Sequence, residues 1–472
     1  MSLVAPVEVV PVAELGRVHM VGIGGAGMSG IARVLLARGV AVSGSDAKES
    51  ALLAELRGLG ARTTIGHAAA NLADLGPSDT LVVSTAIRTD NPELVEARRR
   101  GMRVLPRASA LASLMADRRG VAVAGTHGKT TTTSMLTVAA QHAGAQPGYV
   151  IGGQLVTSGV GAEDGAGELF VVEADESDGS FLMLHPAGAI VTNIEADHLD
   201  NYTGLDEILA GFAAFVDGIR PGGFLVVCAD DANAAALAPR GRERGLTVLT
   251  YGTAPSADIR VTAITSRGLG TGFTIDGLGA YTLTLPGKHN ALNAAAVVAA
   301  CRALGLDDDS VRAGLAAFGG AARRFEAKGE AGGVAVFDSY AHHPTELTAD
   351  LEAARDLAAD RGGRVIAVFQ PHLFSRTRIF ADQFGAALGL ADHAVVLDVY
   401  AAREDPEPGI TGATIAERVP GGRVTYQPDR AAVPATVAGL ARAGDVVLTM
   451  GAGDITQLGP VIVASVREKA EE

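Results

Sequence analysis

The residues most able to do chemistry begin at Gly125, where GTHGKTTTT follows the β-branched run VAVA and opens a helical segment. In a strand–turn–helix setting, glycine-rich backbone lets N–H groups wrap phosphate oxygens, and the helix N-terminus adds positive potential. Gly125, Thr126, His127, Gly128, Lys129, Thr130 and Thr131 therefore read as a phosphate cradle. Lys129 is spaced to reach β- and γ-phosphates, and the Thr130 hydroxyl to ligate Mg²⁺. The strict phosphate loop wants a glycine where Val123 stands, so this is a shorter Gly-x-x-Gly-Lys-Thr variant. The competing reading is an ordinary βα turn that happens to contain Lys and Thr.

Two acidic stretches suit the same chemistry. VVEADESDGS, from Val171, puts four acids at the exit of a strand, with Glu173 where a parallel sheet meets its ligand crevice. Mg²⁺ takes one or two carboxylates plus phosphate oxygens and water, which such a cluster can supply. VTNIEADHLDNY, from Val191, follows another strand and offers Asp197, His198 and Asp200. A second glycine-rich turn, GIGGAGMSG from Gly22, fits G-x-G-x-x-G at Gly22, Gly24 and Gly27. Asp46 ends the next strand 24 residues later (46 − 22), as a dinucleotide site would want. A diphosphate is the expected ligand, and the nucleotide carrying it is left open by this motif.

Further along, PGKHNALNAA from Pro286 presents His289 and Asn290 at a helix start. Asn290 either caps that helix or binds a purine edge with His289 stacked on the ring. ARRFEAKG from Ala322 holds Arg323 and Arg324, which are solvated charges or a guanidinium for a γ-phosphate. FDSYAHHPTE gives Asp338, Tyr340, His342 and His343. QPHLFSRTR gives His372, Arg376 and Arg378, and MGAGDI is a third small-residue strand exit. Six of the eleven histidines fall inside these motifs, a concentration that scattered core histidines would not show.

Short β-branched runs alternating with Ala/Leu-rich segments must position these turns, and that alternation is the mark of parallel sheets. VHMVGI, VAVSGS, TLVVST and MRVLPR form a first series, with a helix expected after Asn91-Pro92 and another from Arg107 to Arg119. A second series starts at Val121 and ends in Gly-punctuated runs between about 258 and 286, read as an appended antiparallel hairpin or meander. Helices are expected from about Asn290 and Ser310, and a third series starts at Val334. The expected fold is α/β with three doubly wound domains, 1–115, 116–321 and 322–472.

Composition narrows the function classes. With 39 basic and 53 acidic residues, the net charge is −14, a poor match for nonspecific binding to nucleic acid or an anionic membrane. Anionic ligands must be held by local devices instead. Trp is absent and aromatics are 4%, against an aromatic nucleic-acid platform. Cys228 and Cys301 alone exclude a disulfide framework and fit a reducing compartment. No basic-then-apolar leader and no apolar run of the ~18–20 residues that a membrane span needs is seen, so a cytoplasmic chain is expected.

GIGGAGMSG, GTHGKTTT, EADESDGSF, NIEADHLDNY, PGKHNALNA, RRFE, YAHHPTE, QPHLFSRT and GAGDI, in this order from about residue 16 to 460, resemble the Mur ligases. Among these the resemblance is to members that join L-alanine to UDP-N-acetylmuramate with ATP. It implies a Rossmann-like UDP-sugar domain, a central P-loop ATPase domain and a Rossmann-like C-terminal amino-acid domain. It implies ATP and two Mg²⁺ ions, with Mn²⁺ as a substitute. Residues 125–131 would hold the ATP phosphates, Thr130 and Glu173 one metal, and His198 a second. His289 and Asn290 would contact adenine, and Arg324 and Asp338 the γ-phosphate and ribose. Gly24, Gly25, Ala26 and Gly27 would cradle the UDP diphosphate, near Asp46 and the Ser84-Thr85-Ala86 turn. Tyr340, His342 and Arg376 would form the alanine pocket, with Lys129, His342 and Arg376 catalytic. No nucleic-acid or membrane partner is implied, and monomer and dimer stay open.

The chain departs from the family pattern at Ser339, where Asp is usual, and at Leu373, where some members have a second basic residue. No lysine lies between Asn201 and Arg220, so no carbamylated lysine is expected. Other readings are a tripeptide-recycling relative, which ESDGSF argues against, and an NAD-dependent oxidoreductase, which leaves GTHGKTTT idle. A non-catalytic nucleotide switch leaves the C-terminal histidines unexplained.

Overall fold

Strand β1 (Val18–Val21) is buried along its whole length and is followed at once by glycine, as a central parallel strand delivering the chain to a tight turn should be. It lies in an all-parallel sheet with β2 (Val42–Asp46), β3 (Arg62–Ile65), β4 (Thr80–Val83) and β5 (Arg103–Pro106), in the order β3-β2-β1-β4-β5. The order reverses between β1 and β4, and a crevice at such a switch point is where doubly wound sheets bind ligands. Asn91 caps the helix Pro92–Arg99 by accepting from the Glu93 and Leu94 amides at 2.9 and 3.3 Å. The following helix stops at Met115, earlier than the expected Arg119, because Arg119 already opens the next strand.

The computed structural model describes residues 7–199, 201–402 and 404–471. Contacts divide the chain into two units, one reaching to Val261 and adding Asn293–Phe318, the other Thr262–Leu292 with the residues from Gly319 on. In the first unit a second sheet holds β6 (Arg119–Ala124), β7 (Gly148–Val150), β8 (Ala162–Glu163), β9 (Leu169–Glu173), β10 (Gly188–Val191), β11 (Phe224–Cys228) and β12 (Thr247–Gly252). Its order is β12-β11-β10-β6-β9-β7-β8, parallel except for β8. Here β6 is the switch strand, with β9 on one side and β10 on the other. β13 (Ile259–Arg267) starts beside β12. In the second unit β14 (Gly270–Ile275) and β15 (Gly279–Leu283) form the expected antiparallel hairpin.

The second unit also carries β16 (Glu326–Ala331), β17 (Val334–Ser339), β18 (Val365–Phe369), β19 (His393–Val396), β20 (Val424–Tyr426) and β21 (Val446–Met450), ordered β16-β17-β21-β18-β19-β20. All pairs are parallel except β16 with β17. Alternate residues of each strand enter different cores, as the two-residue period requires. Ala335, Phe337, Ala367, Phe369 and Leu448 pack in one cluster, while Val336, Ile366, Val368 and Val447 pack in another. Both faces are thus covered by helices, the doubly wound arrangement. Truncating a buried anchor such as Phe337 to Ala would cost about 3–5 kcal/mol.

The α/β class, the three sheets and the appended hairpin agree with the sequence expectation. Strands β3 and β16 were not foreseen. Both lie at sheet edges, and their RTTI and EAKGEA sequences are largely exposed, so no apolar run marks them.

Candidate active site

The turn after β6 needs its glycines. Gly125 has φ +128°, and a Cβ there would stand 2.1 Å from Thr192 Oγ1 and 2.9 Å from the Thr192 nitrogen, so backbone from β10 closes over it. That contact is held by hydrogen bonds: Thr126 N–H to the Asn193 carbonyl at 2.9 Å, and His127 N–H to Asn193 Oδ1 at 2.8 Å. Thr192 Oγ1 in turn donates to the His127 carbonyl at 2.6 Å. Asn193 and Thr192 are loop supports that the sequence reading did not single out. The helix Lys129–His142 begins immediately afterwards, with Thr130 and Thr131 buried in its first turn.

Lys129, Thr130 and Glu173 are brought together here. Thr130 Oγ1 donates to Glu173 Oε1 at 3.1 Å, and Glu173 Oε2 accepts the Gly152 amide at 2.8 Å. Lys129 Nζ donates to the Gly125 and Thr126 carbonyls at 2.7 and 3.1 Å and sits 2.9 Å from Glu176 Oε2. Glu176 is only 2% exposed and also lies 3.6 Å from His198 Nε2. The sequence reading placed Glu176 in an acidic run without giving it a task. No spacing along the chain marks it, because residues 174–176 are not helical and Glu176 reaches Lys129 only through the fold.

Charge follows from these contacts. Burial opposes the Lys129 charge, yet Glu176, Asp175 and Glu173 outweigh it and raise its pKa. Burial likewise opposes the His198 imidazolium, and Glu176 and Asp197 reverse that, so its pKa is raised. His198 takes φ +52°, an uncommon conformation for a side chain other than glycine. Asp175 is opposed by burial but held at about 2 by Arg107 and Lys129. Asp200 lies outside the described residues.

The donor set fits a hard divalent cation: a hydroxyl and a carboxylate already meet within hydrogen-bond distance, beside a second buried carboxylate. Thr130 and Glu173 would hold one Mg²⁺ at this place, and His198, beside Glu176, would help hold a second. The cradle likewise fits phosphate, because the lysine is pre-set on the loop's own carbonyls.

In the first sheet, Gly24, Gly25, Ala26 and Gly27 stand at the β1 exit and the start of the helix Ala26–Ala37. Asp46 Oδ2 accepts the Gly24 amide at 2.9 Å, so this carboxylate shapes the loop. The Ser84-Thr85-Ala86 turn after β4 closes with the Ile87 amide on the Ser84 carbonyl, and Ile87 lies beside Gly22. A Cβ on Gly27 would come within 2.9 Å of Arg107 Nη1, and Arg107 pairs with Asp175 at 3.0 Å. Arg107, also unforeseen, joins the first glycine loop to the acidic run.

The second unit gathers the remaining residues. Asp338 is fully buried, accepting from Thr449 Oγ1 at 2.8 Å and Arg323 Nε at 3.3 Å. Arg323 and Arg324 lie over the Tyr340 ring at 4.8 and 5.3 Å, and Arg324 approaches Glu346 at 3.8 Å. His342 Nδ1 is 3.0 Å from the Tyr340 carbonyl and 3.3 Å from Glu346, acceptors that assign a proton to Nδ1. His342 packs edge-on to Tyr340 and to His372, and His372 stacks on Tyr400 at 5.8 Å. Arg376 is buried at the start of the helix that follows, while Arg378 pairs with Glu407 at 3.0 Å. Leu373 is buried with φ +71°, and its amide is held by the Tyr400 carbonyl at 3.0 Å. Tyr400 is thus a member of this cluster that no motif announced, and Glu346 is one that the YAHHPTE stretch contains without a task being read for it.

His289 and Asn290 belong to the second unit too. The helix begins at Lys288, so Asn290 is not its cap; instead its Nδ2 donates to the Pro286 carbonyl at 2.7 Å. Burial pushes the His289 imidazole down to about 4, which keeps it neutral and suited to packing on a flat base.

Comparison with known proteins matches this geometry to a family. The Mur ligase family catalytic domain matches residues 17–119, the Mur ligase middle domain residues 123–301, and the Mur ligase glutamate ligase domain residues 323–453. A UDP-N-acetylmuramate–L-alanine ligase of Thermobifida fusca is 61% identical over 98% of this chain and 99% of its own length. One from Kineococcus radiotolerans is 57% identical over 97% and 98%. The crystal structure of UDP-N-acetylmuramate–alanine ligase from Thermotoga maritima is 28% identical, with TM-score 0.79 over 96% of this chain and 99% of that one. A murein peptide ligase from Psychrobacter arcticus is similar at 25% identity and TM-score 0.68, over 96% and 99%. With three successive domain matches spanning most of its length and such relatives along the whole of it, the chain belongs to the Mur ligase family.

Proposed function

We propose that the chain couples ATP cleavage to the joining of L-alanine to the lactyl carboxylate of UDP-N-acetylmuramate, releasing ADP and phosphate. The observation that carries this reading is the convergence of Lys129, Thr130, Glu173 and His198 at the exits of β6, β9 and β10. Relatives of 53–61% identity that bear the L-alanine ligase name support alanine over a tripeptide. An oxidoreductase reading of the Gly22 turn has nothing to do with the Lys129 cluster.

In this mechanism a lactyl carboxylate oxygen attacks the γ-phosphorus, ADP leaves, and an acyl phosphate results. The alanine amine then attacks the acyl carbon, loses a proton, and phosphate is expelled with the carboxylate oxygen. Phosphoryl transfer asks the protein mainly for positioning and charge stabilisation. Lys129 supplies positive charge to the transferring group, and the 125–131 amides hold the phosphates. One Mg²⁺ held by Thr130 and Glu173, and a second held with the help of His198, would neutralise charge on the phosphates. Asp46, by fixing the Gly24 amide, sets the first glycine loop for the UDP diphosphate, with Gly25, Ala26, Gly27 and the 84–86 turn around it. His289 and Asn290 take adenine, and Arg324 and Asp338 the γ-phosphate and ribose. Tyr340, His342 and Arg376 receive alanine, with His342 as the base for its amine. Residues 1–115, 116–321 and 322–472 are the corresponding functional domains, and the cytoplasm is the compartment.

Phosphate release from ATP and Mg²⁺ should require both UDP-N-acetylmuramate and L-alanine. Turnover with the tripeptide and none with alanine would overturn the choice of amino acid. No release with any acceptor would overturn the ligase reading.

A further inference from the structure

One carboxyl beside the Tyr340–His342 turn has no task in the reaction just described. Asp350, on the helix Pro344–Arg361, accepts a hydrogen bond from the Ser339 hydroxyl. The same hydroxyl oxygen accepts the Ala341 amide at 3.1 Å, and the Ser339 carbonyl accepts the Gly451 amide at 3.1 Å. Ser339 is 2% exposed at the last position of β17, so this hydroxyl is a buried link rather than a surface contact. The turn that presents Tyr340 and His342 is therefore fixed from behind by Ser339 and from the front by Glu346, whose Oε2 accepts the His342 amide at 2.9 Å.

We infer that Asp350 is a positioning residue for the amino-acid site, acting through the Ser339 hydroxyl to hold the turn carrying Tyr340 and His342. The direction of the hydrogen bond matters. A Ser339 O–H committed to Asp350 leaves its oxygen lone pairs for the Ala341 N–H; without that acceptor the hydroxyl rotates and the turn loses its anchor. Burial pushes the Asp350 carboxyl up to about 6; the Ser339 bond opposes that, Glu346 adds to it and Arg324 opposes it. A carboxyl kept where burial disfavours its charge suits a role in holding the site better than one in stability.

The inference rests on the assignment of Tyr340, His342 and Arg376 to the amino acid. Its test is a cycle of Asp350→Ala, Ser339→Ala and the double variant, with Asp350→Asn as the conservative control, measured for KM and kcat on each substrate. Loss of one charged hydrogen bond predicts a rise of about tenfold in the alanine KM for either single variant. KM for ATP and UDP-N-acetylmuramate should stay within about twofold, the double variant should be no worse than either single one, and Asp350→Asn should stay near wild type because it keeps an acceptor. An unchanged alanine KM, additive single effects, or a parallel rise in all three KM values would overturn the inference. Should Asp350→Ala fail to fold, Ser339→Ala and Asp350→Asn carry the same comparison. Wild-type protein without alanine-dependent turnover would instead overturn the underlying assignment.

Discussion

Two glycine-rich turns in this chain use the same backbone device for different ends. Both follow a buried parallel strand, both open a helix, and both stand at the switch point of their sheet. The turn at Gly22 contains no cation of its own. Its acid, Asp46, is spent on the Gly24 amide, and the guanidinium near Gly27 comes from Arg107 on another helix. The turn at Gly125 has Lys129 inside it, a hydroxyl one residue later, and Glu173 and Glu176 converging from the β9 exit. Backbone amides suffice to bind a diphosphate. Moving a phosphoryl group also needs charge that follows the transition state, and only the second turn carries that equipment.

The largest predicted effect breaks the second turn. Lys129→Ala should lower kcat by about 10³ or more, with smaller changes in KM, since its charge is needed in the transition state. Steady-state phosphate release measures it, and a loss below about tenfold in kcat would remove Lys129 from the chemistry. Glu173→Gln should come next, with about a 10–100-fold weaker Mg²⁺ requirement curve, read by titrating the metal at saturating ATP.

Asp46→Ala should behave differently, and it sharpens the contrast. Losing the bond to the Gly24 amide should raise KM for the UDP-sugar by about fivefold to tenfold and leave kcat within about twofold. A comparable fall in kcat would mean that the first turn takes part in the chemistry after all.

Arg107→Ala, the smallest effect, tests a residue that links the first turn to the acidic run beside the second. A severalfold rise in the UDP-sugar KM is expected, and the pH dependence is worked out from its partner. Asp175 is held at about 2, below its ordinary value, so the pair is fully formed above the ordinary carboxylate range and is lost only as pH falls from there through about 2. The ratio of variant to wild-type KM should therefore be flat between about pH 5.5 and 8.5, where Asp175 is ionised throughout. A ratio that changes through about pH 6.5 would point to a histidine partner instead.

Much of this was legible in the sequence for a physical reason. A phosphate turn announces itself because glycine, lysine and hydroxyl must be adjacent in the chain, and Gly125 to Thr130 are. Glu173 and His198 were legible because strand exits are where a parallel sheet meets its ligand. Contacts made across elements were not. Arg107 reaches Asp175 from the start of a helix elsewhere in the chain, Glu176 pairs with Lys129 across the crevice, and Tyr400 stacks on His372 through a neighbouring strand exit. No spacing along the chain encodes those meetings. The helix start expected at about Asn290 has a similar origin. A Lys288 start moves the helix by two residues, and terminal positions depend on local hydrogen bonds that composition does not reveal.

The most direct test of the central claim, that the Gly125 turn transfers a phosphoryl group to the sugar's carboxylate, follows the oxygen. UDP-N-acetylmuramate labelled with ¹⁸O in the lactyl carboxylate, turned over with ATP and L-alanine, should yield phosphate carrying one labelled oxygen, because that oxygen leaves with the γ-phosphorus. Phosphate free of label, with the departing carboxylate oxygen found instead in a nucleoside monophosphate or in water, would contradict the account.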